Sequence, residues 1–337
     1  MKTIIKPFLG ILLVATFSIQ PISMFGADTN SSDATRIRSL TLTIHNAGIT
    51  FGDEPVVHGI RINYKDRNLR RVNGINMSML SPNEIPNSKI RGLALGLPVT
   101  AAGSMKGLTV ALGGIAATES LSGFSISGFG FGVGGNVSGV SMAGFGFGAG
   151  ENVTGLSLAG LGFGVGKNLT GVSLAGFGFG AGENITGLSL AGFGFGAGKN
   201  ITGVSFTGLG VGAGGNIYGF SISGLGTRSG ESVQGMHFAG LRIESTQLRG
   251  FTVSSTAKAE FATGLFIAPV YMHIEPEGKL NGVSISTFNY IQGYQYGLAI
   301  GLFNYTHNLR GVQIGILNYA GNKPGLLRIL PLMNAHL

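Results

Sequence analysis

Four kinds of residue in the 337-residue chain have a type and spacing that could do chemistry. Gly130-Phe131-Gly132-Val133-Gly134-Gly135 satisfies the glycine spacing with which a strand-to-helix turn brings backbone amides against a pyrophosphate. Ser141, Ser157, Ser173 and Ser189 each stand in Gly-x-Ser-x-Ala, close to the sharp turn that exposes a nucleophilic serine in hydrolases. His45, His58, His237, His273, His307 and His336 could ligate a metal or carry protons. Arg61, Lys65, Arg67, Arg70 and Arg71, with Asp66 among them, form the densest basic run, which could meet a lipid headgroup or a polysaccharide.

Spacing argues against each chemistry. A dinucleotide fingerprint occurs once per βαβ unit, and a nucleophile is a single strained serine with a base and an acid beside it. Here both patterns recur every 16 residues, so they belong to the architecture. The histidines have no H-x-x-x-H or comparable ligand spacing, and 0 Cys removes thiolate metal sites, disulfides and a lipid-bearing cysteine. No catalytic, cofactor-binding or metal-binding set is expected. The basic run reads as the solvated edge of a cap. The net charge of +8 comes from 22 basic residues spread thinly along the chain, so no nucleic-acid partner is expected.

The elements that carry these residues follow from the repeat. From Gly123 to Tyr218 the chain runs GFSISGFGFGVGGNVS, GVSMAGFGFGAGENVT, GLSLAGLGFGVGKNLT, GVSLAGFGFGAGENIT, GLSLAGFGFGAGKNIT, GVSFTGLGVGAGGNIY, and more than half of the 61 glycines fall there. A weaker apolar-polar-Gly-apolar signature extends the pattern to Gly92 and Gly107 on one side, with Val72-Asn73-Gly74-Ile75 as the candidate first unit, and to Gly250, Gly282 and Gly311 on the other. Collagen is excluded, because glycine has no three-residue period and there are only 10 Pro. With 44% hydrophobic residues and a mean hydropathy of +0.36 the chain has enough apolar surface to fold.

Within one unit Leu156 and Leu158 share one parity while Leu161, Phe163 and Val165 share the other, with Ala159-Gly160 between and Gly166-Lys167-Asn168 after. Two short alternating strands and two corners per period predict an all-β fold, one coil of a β-solenoid, with large residues inward and Ser or Gly outward. Stacked coils then form ladders about 4.8 Å apart. Phe131, Phe147, Phe163, Phe179 and Phe195 become a core stack; Asn136, Asn152, Asn168, Asn184, Asn200 and Asn216 become a corner ladder. Asn136, Asn152, Asn168, Asn184 and Asn200 also start Asn-x-Ser/Thr, an acceptor site in a eukaryotic secreted protein and turn chemistry in a bacterial one. The rival is an antiparallel outer-membrane β-barrel with one strand and one turn per 16-residue unit, suggested by the alternation Glu151, Lys167, Glu183, Lys199. Parity speaks against it, since a continuous strand would put large residues on both faces.

The N-terminus carries Lys2 and Lys6, an apolar run over residues 8–19 and a polar stretch from Asp28, which is the pattern of a secretory signal peptide over residues 1–27. The expected organisation is a β cap region at 28–91, the glycine-rich array at 92–249, an irregular insertion at 250–281 that breaks the period, and C-terminal repeats with a cap at 282–337.

The stretches Gly-Leu-Ala-Ile-Gly-Leu-Phe-Asn-Tyr from Gly297, Leu-Arg-Gly-Val-Gln-Ile-Gly-Ile-Leu-Asn-Tyr-Ala from Leu309 and Leu-Pro-Leu-Met-Asn-Ala-His-Leu from Leu330 resemble an exported bacterial surface-repeat family, whose hallmark is Gly-Leu-Gln-Ile-Gly-Leu-x-Asn. The resemblance is specific in the C-terminal stretch, extends to His58-Gly-Ile-Arg-Ile-Asn and is generic across the array. It implies an envelope or surface location without a known activity. Many relatives end in Phe or Trp where this chain has Leu337. The expected function is that of a non-enzymatic exported cell-envelope surface protein with a structural or adhesive role, whose partners are outer-membrane or cell-surface components or further copies of itself. The alternatives are the membrane barrel and an amyloid-like self-assembling subunit.

Overall fold

A computed structural model describes residues 39–44, 46–80 and 87–336. The segment 1–27 expected to be a signal peptide and His45 lie outside the described residues. Those described fold as a β-solenoid whose coils pair with their neighbours in parallel, in register, with one short 3-10 helix at Gly325–Arg328.

One coil shows why this sequence winds. Leu169–Ala175 and Gly178–Ala181 are the two strands, separated by Gly176-Phe177 and followed by the corner Gly182-Glu183-Asn184. Each pairs with the same residues of the next coil: Leu169 faces Ile185, and Phe179 faces Phe195. Inside the first strand Gly171 takes a φ of 120°, which bends the chain without changing the alternation, since Leu169, Ser173 and Ala175 are all buried. Only glycine fits there, because a Cβ on Gly171 would stand 2.1 Å from the Gly155 carbonyl oxygen. The same glycine with positive φ stacks from Gly48 to Gly311 and marks one corner of every coil.

The interior holds Phe163, Val165 and Leu169 with their counterparts, as read from the sequence, and also Ser157 and Ala159. This corrects the parity expected for the longer strand. Leu156 and Leu158 point outward and are half-buried, Leu161 is exposed at the corner, and Ser157 faces the core at 1% exposure. The alternation runs unbroken through Gly155, with Val153, Ser157, Ala159 and Phe163 all inward, so it is the large size of Leu156 and Leu158, not the period of two, that points to the wrong face.

The parallel register overturns the barrel, which needs antiparallel neighbours. It also revises the boundaries. Strands Ala47–Gly52, Val56–Lys65 and Arg71–Leu80 are already stacked in parallel, so the solenoid begins well before residue 92. Residues 250–281 are no irregular insertion: Gly250, Gly264 and Gly282 continue the corner column, and Gln247–Ile267 pairs in parallel with Tyr271–Ile285. The period changes while the corner is kept. Gly250 and Gly264 are 14 residues apart and Gly264 and Gly282 are 18 apart, the difference being absorbed by register shifts such as that between Ile274 and Lys279. At the two ends Ser39–Ile44 and Ile329–His336 add antiparallel to the terminal coils and cover their open edges.

Candidate functional site

The asparagine column lies at the corner after the second strand. Asn152 Nδ2 donates to Asn136 Oδ1 at 2.9 Å, Asn168 to Asn152 at 3.0 Å, Asn184 to Asn168 at 2.8 Å, Asn200 to Asn184 at 3.1 Å and Asn216 to Asn200 at 3.1 Å. Backbone amides of Asn152, Asn168, Asn200 and Asn216 donate to the same oxygens, so each amide oxygen ties a corner to the next. Beside it Lys167 pairs with Glu151 at 2.9 Å and Lys199 with Glu183 at 3.4 Å. The hydrogen bond and charge of Lys167, with the Asn136 amide, hold the Glu151 carboxyl below its usual range. Both pairs are solvent-exposed, where such contacts contribute at most about 1 kcal/mol. The phenylalanine column is a true stack: Phe131, Phe147, Phe163, Phe179 and Phe195 have ring centroids 4.4, 4.5, 4.8 and 4.7 Å apart along the series and nearly parallel planes.

The repeated serines and His237 lie inside the coils. Ser141, Ser157, Ser173 and Ser189 form a buried column, out of reach of a substrate. The next members are Ser205 and Ser221, and then His237, whose Nδ1 lies 2.7 Å from Ser221 Oγ. Burial pushes the His237 imidazole below its usual pKa, and its Nε2 has no hydrogen-bond partner. This serine–histidine contact spans one 16-residue period, a signal the outward assignment of the serines passes over; it is fully buried, with no carboxylate hydrogen-bonded to the ring among the described residues. The glycine fingerprint at Gly130–Val133 is a strand of the stack, followed by a corner, and opens no helix.

The basic run is split. Arg61, expected at a solvated edge, is fully buried. Its guanidinium pairs with Asp66 and, at 2.8 Å, with Asp53, and it donates to Asn76 Oδ1 and the Glu54 carbonyl, each at 3.0 Å. Charge inside the first coils is thus neutralised by partners from neighbouring turns, whereas Arg67, Arg70 and Arg71 remain exposed. No group of three or more potential metal ligands exists among the described residues.

What the coils present outward is area. Two columns leave the strand after the corner glycine. One runs through Val140, Leu156, Val172, Leu188 and Val204, the other through Met142, Leu158, Leu174, Leu190 and Phe206. Both stay apolar in every coil, from Ile49 and Phe51 to Val312 and Ile314. At the next corner stands a third column, with Phe145 54% and Phe177 51% exposed. An apolar groove of about 940 Å³ runs between them, floored by Ala143, Ala159, Ala175 and Ala191 and the glycines that follow. The strand beyond shows Gly164 and its counterparts, bare backbone with no side chain. Towards the C-terminus the same face becomes aromatic, with Phe288 on Phe303 at 5.0 Å, Tyr290 on Tyr305 at 5.0 Å and Tyr305 on Tyr319 at 4.9 Å.

No family model, curated protein or solved structure matches the chain. The fold is a β-solenoid of repeated coils, an architecture compatible with a structural or adhesive role.

Proposed function

We propose that the chain is an exported, non-enzymatic cell-envelope repeat protein with a structural or adhesive role, acting through repeated surface. The observation that carries this reading is the repetition itself. Each coil offers outward apolar residues in the same two columns, and the coils from Gly130 to Ala213 add the same uncharged glycine strand, so contact scales with the number of coils. Export is supported by Lys2, Lys6 and the apolar run at 8–19, and a surface location by the C-terminal resemblance to exported surface-repeat proteins.

The test is fractionation of cells that make the full chain, followed by protease treatment of intact cells and extraction of envelopes with alkaline carbonate and urea. Recovery in the envelope, cleavage from outside and release without detergent are expected. A chain that stays in the cytoplasm, or one with a turnover number that depends on a single side chain, contradicts the reading. Deleting residues 171–186, one full coil, should leave a folded protein, because Leu169 and Ile185 occupy the same place in successive coils.

A further inference from the structure

The outward apolar columns are more than the stack requires. Side-chain ladders stabilise neighbouring strands modestly, and polar β-branched residues supply this as well as apolar ones. The chain does this across the corner, where Thr154, Thr170, Thr186 and Thr202 form the column just before the glycine. Immediately after the glycine every coil turns to Val, Leu, Ile, Met or Phe. At about 4.8 Å per coil the strip from Gly48 to Gly311 is on the order of 80 Å long and, from the first column to the corner, about 17 Å wide. That is roughly 1,400 Å², well above the largest apolar patch of a typical soluble monomer.

Three features name the occupant. First, every strand in the strip is hydrogen-bonded to the coils above and below, so only side chains leave the surface, which is the condition for contact with hydrocarbon. Second, the columns repeat with no polar or bulky mark that would fix a register, and a fluid phase needs none, whereas a facing protein sheet would slip. Third, the column bordering the strip carries Arg91, Lys106, Arg249 and Arg310 and no acidic residue. Two copies brought together in antiparallel orientation would set these cations against each other, while an anionic headgroup layer beside hydrocarbon complements them.

We infer that this face lies flat on a lipid surface rich in anionic headgroups, with the apolar columns entering the acyl boundary and the basic column at headgroup level. The inference rests on the envelope reading and names the component contacted. The polar corner of Asn136–Glu151 and its counterparts then faces away from the lipid.

The experiment is flotation of the purified full chain with vesicles of phosphatidylcholine alone and of phosphatidylcholine mixed with phosphatidylglycerol. The wild type should float with the mixed vesicles and lose about fivefold in binding per basic residue replaced in the series Arg91→Gln, Lys106→Gln, Arg249→Gln. The triple variant Leu158→Asp, Leu174→Asp, Leu190→Asp should lose at least about a hundredfold. Leu158→Gln, Leu174→Gln, Leu190→Gln serves if the acidic triple fails to fold, judged by circular dichroism. Gly132→Asp, Gly164→Asp, Gly212→Asp places the same charges where a new Cβ meets open space, on the glycine strand, and should float like the wild type. The inference is overturned if the folded wild type floats with neither vesicle, if the leucine variants float unchanged, if the glycine-strand variant is lost equally, if a stable dimer hides the strip, or if only monomeric fatty acid binds. Surface cleavage on intact cells with no flotation overturns the lipid inference and leaves the envelope reading standing. Cytoplasmic recovery overturns both.

Discussion

Two glycines in adjacent coils, indistinguishable by composition, should respond to alanine in opposite directions. Gly171 has φ 120°, and a Cβ there would stand 2.1 Å from the Gly155 carbonyl oxygen, 3.0 Å from its carbonyl carbon and 3.1 Å from its nitrogen. The contact is backbone on backbone, so relief means separating two coils at that corner. The strained dihedral costs about 1–3 kcal/mol and a broken, buried ladder bond about 1–3 kcal/mol more. Gly164 has no heavy atom within 4 Å of its ideal Cβ. Alanine there keeps every contact and removes freedom from the unfolded chain, a gain of about 0.4–1 kcal/mol. Gly132, Gly148 and Gly212 meet the same open space, so all four changed together should gain about 2–4 kcal/mol. Guanidinium titration followed by circular dichroism reads both: the midpoint should fall sharply for Gly171→Ala, rise slightly for Gly164→Ala and rise clearly for the fourfold variant. Equal loss in Gly171→Ala and Gly164→Ala would refute the register and with it the assignment of every outward column.

Two further outcomes follow from the interior. Phe163→Ala removes the middle ring of a stack with neighbours at 4.5 and 4.8 Å, and should cost about 3–5 kcal/mol by the same titration. His237 is held neutral by burial, its folded pKa lying below the ordinary 6.5. The unfolded chain then binds a proton that the folded chain refuses, so the stabilisation is complete above pH 6.5 and declines as pH falls from there towards the folded value. Urea midpoints taken across this window should drop for the wild type and flatten for His237→Ser, which restores the residue of the neighbouring coil; an equal drop in the variant would place the titration elsewhere.

The solenoid, the phenylalanine stack and the asparagine ladder were legible because a strict 16-residue period turns identical residues into neighbours. Two things were not. Side-chain direction failed at the longer strand, since the large Leu156 and Leu158 read as inward although Val153, Ser157 and Ala159 keep one alternation across Gly155, and a one-residue error exchanges core and surface. A usable signal was present in the small residues: Ser157 and Ala159 are what a narrow interior accepts beside Phe163. Coil count failed outside the array, since Gly59, Gly264 and Gly297 keep the corner while the intervals vary, and a search for fixed spacing passes over them. The contact of His237 with Ser221 spans one 16-residue period and is missed when the serines are read as outward, whereas the inward turn of Arg61 depends on which coil lies above which.

The inward serines and outward leucines have one cause. A coil of 16 residues encloses a strip of core too narrow for a large side chain at every inward position. The chain spends that space on Phe163, Val165 and Leu169 and closes the remainder with Ser157 and Ala159. Leucine therefore gains little by being outside unless the outside is itself apolar, because a half-exposed Leu158 forfeits much of the roughly 1.5–3 kcal/mol that full burial gives. Threonine forms the same kind of ladder one step before the glycine, at Thr154 and Thr170, and leaves a hydroxyl for water. The interior sets what must be small, the corner sets what must be glycine, and neither asks for Leu156 or Leu158. The demand for those residues comes from the surface the face rests on, which is why charge placed in these columns, and not on the glycine strand, is the perturbation that separates folding from function.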